Sequence, residues 1–298
     1  MYKKIKIGDD KLTTTCFSSD GKYLAIGNIT GEIFLFIREN KKIRIKINCF
    51  HKSRINVLLF EDSLLYSASC DKKINLWDYN HDKLVRMFHK NFGKIVDIDK
   101  KKNSILVSTN EGIVKFWDKR FKKSIDEVNT GSNLKSAKFL GGENFFATGG
   151  NSPFLYLWDL RKMEKKKPFL KIFVGNKVEI NSFCVSKIDS LIFYLDIFGN
   201  LYKWCRKKGN LKVKFNIGKK NRKDPKQISM FKLKNDCFDK YMSMFNDNGD
   251  TYIFYQSNGK IIKKIKNNLI ITEDVTFNPN KKILCSGGEK GNVIFQSY

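Results

Sequence analysis

Proline is scarce in this chain: 298 residues hold four, at positions 153, 168, 225 and 279. All four fall between apolar runs that read as strands, where a missing amide hydrogen costs no ladder bond. Cysteine supplies no framework either. The seven cysteines are odd in number, scattered, and never spaced Cys-x-x-Cys. That argues against a disulfide scaffold and a zinc site, and fits a reducing compartment. Three histidines, His51, His81 and His89, are too few and too dispersed to rescue a metal site. No apolar run approaches the ~18 residues needed to cross a bilayer. The opening Met1–Ile7 alternates charged with apolar residues and lacks the continuous apolar stretch of a secretion signal. The expectation is an intracellular protein with no metal, no cofactor, no membrane partner and no small-molecule substrate.

Acidic charge also runs short. Asp and Glu number 30 against 57 Lys and Arg, a net charge of +27. Such an excess points to nucleic acid or another polyanion. A second cause competes with that one, because the chain is heavy in Asn, Ile and Phe, with 25 phenylalanines, as AT-rich coding produces. Where the charge sits therefore carries more weight than its sum.

What the chain has in abundance is repetition. Seven short apolar segments end at Phe36, Trp77, Trp117, Trp158, Trp204, Phe254 and Gln296, in steps of 41, 40, 41, 46, 50 and 42 residues. A period near 42 means one supersecondary unit copied seven times, and seven copies use nearly all of residues 1–298, read as a single domain. In the second copy the strands are expected at Arg54–Phe60, Leu64–Ser69, Ile74–Trp77 and Leu84–Phe88, rich in Val, Ile, Phe and Tyr and separated by Gly, Asn and Asp. Five residues before the terminal position stands Gly31, Gly112, Gly199, Gly249 or Gly291 in five of the seven copies. A two-residue hairpin needs the positive φ that glycine adopts without steric cost. Inner strands such as Tyr23–Gly27 and Leu155–Trp158 are apolar on both faces, so each sheet must be covered on both. Four-stranded blades arranged radially meet that demand. The last copy is one strand short, and Tyr2–Ile7 is a strand without a partner. If it completes the last blade, it latches the ring and removes two exposed edges together.

Trp77-Asp78, Trp117-Asp118 and Trp158-Asp159, with the repeat length and the turn glycines, resemble the WD-repeat family of seven-bladed β-propellers, an all-β fold. The likeness spans residues 2 to 298; the last three copies are degenerate (Trp204-Cys205, Phe254-Tyr255, Gln296-Ser297). The resemblance implies that His51, Ser67 or Ser69, Asp71 and Trp77 form a structural hydrogen-bond relay. The same residue types could be mistaken for a hydrolase triad, but nothing in the chain offers an oxyanion hole beside an exposed nucleophile. No catalytic residue is expected. The pairs Gly149-Gly150 and Gly287-Gly288 lack the downstream Gly-Lys-Ser/Thr of a phosphate loop and read as turns or close blade packing.

Placed on such a fold, the loops between third and fourth strands gather cations on one face. They hold Arg38, Lys41 and Lys42; Lys119, Arg120, Lys122 and Lys123; Arg161, Lys162, Lys165, Lys166 and Lys167; and Arg206, Lys207 and Lys208, against Glu39, Asp118 and Glu164. First-to-second-strand turns add Lys100–Lys102, Lys281 and Lys282. Clustered cations are what phosphate contacts require; solvated lysines filling loops are the competing explanation. Phe121, Met163 and Phe169 interleave with these charges as apolar anchors or blade packing. A further basic stretch, 218–226, falls in the connection of the longest step. Trp117-Asp-Lys-Arg120 and Trp158-Asp-Leu-Arg161 resemble the boxes by which some WD-repeat proteins dock on cullin-RING ubiquitin ligases. Short stretches at 145–160 and 180–186 resemble WD-repeat components of the nucleolar small-subunit processome, and the first two copies and 277–293 resemble other ribosome-biogenesis propellers. The function expected is a non-catalytic scaffold for protein and RNA partners in a ribonucleoprotein, nuclear and nucleolar before cytoplasmic. A ubiquitin-ligase substrate receptor and a spliceosomal subunit are the alternatives.

Overall fold

A computed structural model describes residues 2–37, 42–47, 51–89, 93–121, 124–141, 144–174, 179–186, 191–205, 209–216, 233–236, 240–245, 249–266 and 272–298. The strands group into seven four-stranded antiparallel sheets, each a blade of the copied unit. The chain divides into two compact units, Met1–Ile95 with Asp236–Tyr298, and Val96–Asn235. Among the described residues no helix is long and apolar enough to cross a membrane.

The first unit holds blade 1 (Leu12–Phe17, Tyr23–Asn28, Ile33–Ile37, Lys42–Ile47) and blade 2 (Ile55–Glu61, Leu64–Ser69, Ile74–Asp78, Lys83–Phe88). It also holds Tyr241–Phe245, Thr251–Tyr255 and Ile261–Ile265 of blade 6, and Thr272–Phe277, Ile283–Gly288 and Asn292–Ser297 of blade 7. The strands expected for the second copy are each present to within a residue at either end. Blade 7 takes its fourth strand from Tyr2–Lys6, which runs antiparallel to Asn292–Ser297 with Tyr2 opposite Gln296 and Lys6 opposite Asn292. The Ile7 amide extends the pairing by donating to the Gly291 carbonyl at 2.9 Å. The amino-terminal strand therefore completes the last blade, as its lack of a local partner predicts.

Packing between blades follows from sheets apolar on both sides. Ala25, Ile33 and Leu35 of blade 1 share one core with Ile55, Leu58, Leu65 and Trp77 of blade 2. Leu12, Leu24, Ile26 and Phe36 share another with Cys285 and Val293 of blade 7. Each fully buried Leu, Ile or Phe contributes roughly 1.5–3 kcal/mol relative to exposure. Small residues set the spacing: a side chain at Gly27 would meet Ile55 at 2.9 Å, and one at Gly287 would meet Thr15 at 3.0 Å. The expectation that Gly287 serves close packing is met in that contact.

The second unit repeats the scheme. It contains blade 3 (Ile95–Lys101, Ser104–Thr109, Ile113–Asp118, Ser124–Asn129), blade 4 (Leu134–Phe139, Phe145–Gly150, Phe154–Asp159, Leu170–Phe173) and blade 5 (Ile180–Val185, Leu191–Asp196, Asn200–Cys205, Asn210–Asn216). Lys234–Asn235 is the short first strand of blade 6. Phe116, Phe139, Phe146 and Trp158 fill the core between blades 3 and 4; Leu155, Leu157, Ile180 and Phe183 fill the one between 4 and 5.

A polar staple recurs at one strand position in both units. Asp97, on the first strand of blade 3, accepts hydrogen bonds from the Ser136 hydroxyl and, at 2.7 Å, from the Lys138 ammonium of blade 4. Asp274 of blade 7 accepts from the Thr14 hydroxyl at 3.1 Å and the Thr15 amide at 2.9 Å of blade 1. Burial opposes the charge on Lys138, but Asp97 and Asp99 outweigh it and hold its pKa above the ordinary lysine value. Each staple fixes one blade's register on the next.

Candidate functional site

At the loop end of blades 3 and 4 the strand-terminal aspartates each capture the arginine two residues later. Asp118 closes the strand Ile113–Asp118 and accepts from Arg120 Nε at 2.9 Å and from Nη2 at 2.6 Å. Asp159 repeats this with Arg161, Nε at 3.0 Å and Nη2 at 2.8 Å. Asp159 also accepts from the Arg161 amide at 3.0 Å, capping the short 3-10 turn Leu160–Lys165. Both aspartates are buried while the arginines are 65% and 61% exposed, so each fork is anchored at its base and open outward. Hydrogen bonding to its arginine holds each carboxyl at about 2, well below the usual carboxylate range. Each arginine thus already spends one bidentate edge on its own aspartate.

Aromatic rings flank these clamps. The Arg120 guanidinium lies 5.6 Å from the Phe121 ring centroid and that of Arg161 5.5 Å from Phe145, which packs edge-on against Phe169 at 5.6 Å. Phe121 and Phe169 are among the most exposed large apolar residues, at 58% and 49%. Met163 is buried under the turn as packing and offers no anchor. Lys162, Lys165, Lys166 and Lys167 are all exposed. Lys166 takes a left-handed conformation, φ 45°, and its amide closes the turn on Met163 at 2.9 Å. The two loop types expected to share a face do meet. The Lys119 amide donates to Asn103 and the Leu160 amide to Asn144, at 2.9 and 2.8 Å. Lys101 adds a bond from its ammonium to the Leu140 carbonyl at 3.2 Å.

Within this unit the structure therefore places Lys119, Arg120, Arg161, Lys162 and Lys165–Lys167 at the same end of adjacent blades. Arg38, Lys41, Lys122, Lys123, Arg206, Lys207, Lys208 and the stretch 218–226 lie outside the described residues; Lys42 is described only as the first residue of a strand.

The relay residues lie in the first unit. Trp77 Nε1 donates to Ser67 Oγ at 2.9 Å, Ser67 Oγ stands 2.8 Å from His51 Nε2, and His51 Nδ1 stands 3.0 Å from Asp71. Asp71 can only accept, so the imidazole carries its proton on Nδ1 and Nε2 accepts from the serine. Ser67 is fully buried with a lone pair taken by the tryptophan, which leaves it no path to a substrate. Ser69, the other candidate, instead donates to the Ser53 carbonyl at 2.9 Å and accepts from the Asp71 amide. Blade 4 keeps the first step, Trp158 Nε1 to Thr148 Oγ1 at 2.9 Å.

Seven copies of one four-stranded sheet, two of them with a tryptophan-to-hydroxyl bond across their inner strands, define an all-β protein of propeller blades. The family model described as "WD domain, G-beta repeat" matches residues 44–78, the second blade. The U5 small nuclear ribonucleoprotein 40 kDa protein of Dictyostelium discoideum is 25% identical over 153 residues, 50% of this chain and 43% of that protein. The WD repeat-containing protein 55 homolog of Drosophila erecta is 28% identical over 125 residues, 40% of this chain and 25% of its own. Eukaryotic translation initiation factor 3 subunit I of Drosophila melanogaster is 24% identical over 160 residues, 50% and 49%. The chain thus spans less than half the length of the curated relatives it matches. Its second blade thus carries a WD repeat, and its seven four-stranded sheets are similar to those of WD-repeat propellers.

Proposed function

We propose that the chain is a WD-repeat scaffold of a ribonucleoprotein, acting as one domain, with the loop end of blades 3 and 4 as its RNA-contacting surface and other loops engaging proteins. The observation that carries this is the run Lys162–Lys167 beside two arginine–aromatic pairs, with its four lysines and Arg161 exposed. Aspartate already neutralises part of each arginine, so the lysines supply most of the net positive field, and phosphate is the chemistry such a field attracts. Exposed Phe121 and Phe169 offer faces on which unpaired bases can stack. Relatives named for a small nuclear ribonucleoprotein and for a translation initiation factor agree with an RNA-linked assembly. Ribosome biogenesis in the nucleolus is the assignment we favour among such assemblies, on the short likenesses in the sequence.

Affinity isolation at moderate salt, with and without nuclease, tests this. Recovery of pre-ribosomal RNA that nuclease removes is the expected result; small nuclear RNA would move the chain to splicing. The tandem Asp–Arg clamps favour one second reading, a ubiquitin-ligase substrate receptor. Arg120→Ala with Arg161→Ala would then abolish recovery of cullin and its adaptor while leaving RNA untouched.

A further inference from the structure

We propose that the seam between blade 7 and blade 1 holds a docking pocket for one bulky apolar side chain carried on an acidic peptide segment of a partner protein. None of the residues lining the pocket belongs to the lysine-rich loops, and the proposal does not depend on the function proposed for them.

The cavity, about 200 Å³, opens between the latch strand and the first blade. Ile5, Phe17, Phe36, Ile283 and Phe295 line it, and the Phe36 and Phe295 rings meet at 5.6 Å along one wall. Its size falls below the roughly 300–1,000 Å³ of sites that enclose a drug-sized ligand. That volume suits a single side chain entering as an anchor, which is how peptide hot spots insert. The mouth is basic. Lys3 on the latch strand and Lys22 in the first turn of blade 1 border it, and Lys281 and Lys282 belong to the turn that follows Asn278. Asp20 is the acid of that rim, and it is occupied by the Ser18 hydroxyl and the Lys22 amide. An apolar hole bordered by two lysines is complementary to an apolar residue with carboxylates on either side.

The walls are also fixed in advance. Asn278 Nδ2 donates to the Gly21 carbonyl at 3.1 Å, and Asn280 Nδ2 to the Asp20 carbonyl at 2.5 Å, tying the turn of blade 7 to that of blade 1. A pocket held open by such bonds spends little on ordering when it binds. Two of the residues lining it, Lys3 and Ile5, come from the strand that completes blade 7. An occupant would therefore tie that strand to blade 1, so binding and latch stability are linked.

The probe is a fluorescein-labelled peptide with one phenylalanine flanked on both sides by aspartates, titrated into the whole chain by anisotropy. Saturable binding is expected, weakened about tenfold or more when the phenylalanine is alanine, the loss of one good anchor. Lys3→Glu with Lys22→Glu, both at exposed positions, should weaken it about tenfold as well. Ile283→Trp, which fills the cavity, should abolish it; if that variant melts below the wild type, the double lysine variant alone decides the matter. Amide exchange at Tyr2–Lys6 should slow when peptide is present. Equal binding of the alanine peptide, displacement by a uridine oligonucleotide, or indifference to both sets of substitutions would each overturn the proposal.

Discussion

At the residue scale, the hairpin before each third strand shows how closely conformation and composition are matched. Gly31, Gly112, Gly199, Gly249 and Gly291, picked out by position alone, all have positive φ, from 65° to 98°. At Gly112 space matters as much as torsion, because a side chain there would come within 2.6 Å of the Ser132 carbonyl. Gly112→Ala should cost about 2–3 kcal/mol, adding left-handed strain to a backbone clash, measured by urea unfolding. Lys72 occupies the same position in blade 2 at φ 69°. Lys72→Gly should leave stability unchanged or raise it by up to about 1 kcal/mol, since relief of strain opposes the added freedom of the unfolded chain.

The relay and the clamps carry the pH dependence at that same scale. Burial raises the Asp71 pKa, but bonds from His51 and from the Lys52 and Lys73 amides outweigh it and leave the carboxyl below its ordinary value. A carboxylate depressed in the folded state stabilises above the unfolded pKa of 3.8 and loses that contribution as pH falls below it. Asp71→Asn should therefore lower stability by about 1 kcal/mol at pH 7, with the gap to wild type closing as pH falls through 4 to 3 in denaturant melts. Ser67→Ala removes the acceptor that Trp77 and the donor that His51 both use, at a cost of about 2 kcal/mol independent of acid. For Asp118 the readout is direct: Arg120→Ala should return its carboxyl from about 2 toward the ordinary value, followed by carbon-detected NMR titration. The sequence disclosed the members of the relay, because their spacing matches the family. It did not disclose that the arginines would fold back on Asp118 and Asp159, since side-chain direction after a strand end leaves no periodic trace.

At the scale of the element, the strands were legible and the staples between blades were not. Alternation and turn residues are local signals, so the strands of blade 2 were placed to within a residue. Asp97 and Asp274 instead bond to partners in a neighbouring blade. Only the alignment of first strands on their bulges, where Leu12/Thr14, Leu134/Ser136 and Thr272/Asp274 coincide, shows that acid and hydroxyl occupy one position. Asp97→Ala should cost about 2–3 kcal/mol, less than a fully buried ion pair because Lys138 is partly exposed, seen as a lower urea midpoint. The latch strand belongs to this scale too. It contributes five register pairs to blade 7, and its loss exposes the edge of Asn292–Ser297. Deleting residues 1–8 should lower the melting temperature of the whole chain and promote association through the bare edge. A synthetic Tyr2–Lys6 peptide, added in excess, should restore part of the lost stability.

At the scale of the whole molecule the question is what a net charge of +27 is for. Charge that merely follows codon bias has no reason to gather, whereas four exposed lysines and two aspartate-braced arginines occupy corresponding loops of blades 3 and 4. Their placement was legible once the repeat was found, because the repeat assigns every loop an end of its blade. Their chemical consequence is quantitative. Each phosphate contact to single-stranded RNA contributes about −0.7 to the slope of log affinity against log salt. Reversing Lys165, Lys166 and Lys167 to glutamate should therefore shrink that slope by about 2 if all three meet phosphate. Phe121→Ala with Phe169→Ala should weaken binding at every salt concentration by about the same factor and leave the slope unchanged, because stacking releases no counterions. Filter binding across a salt series separates the two effects. A slope indifferent to the lysines would assign them to solvation and remove the loop end of blades 3 and 4 as an RNA surface, while leaving the blades, the latch and the seam pocket as they stand.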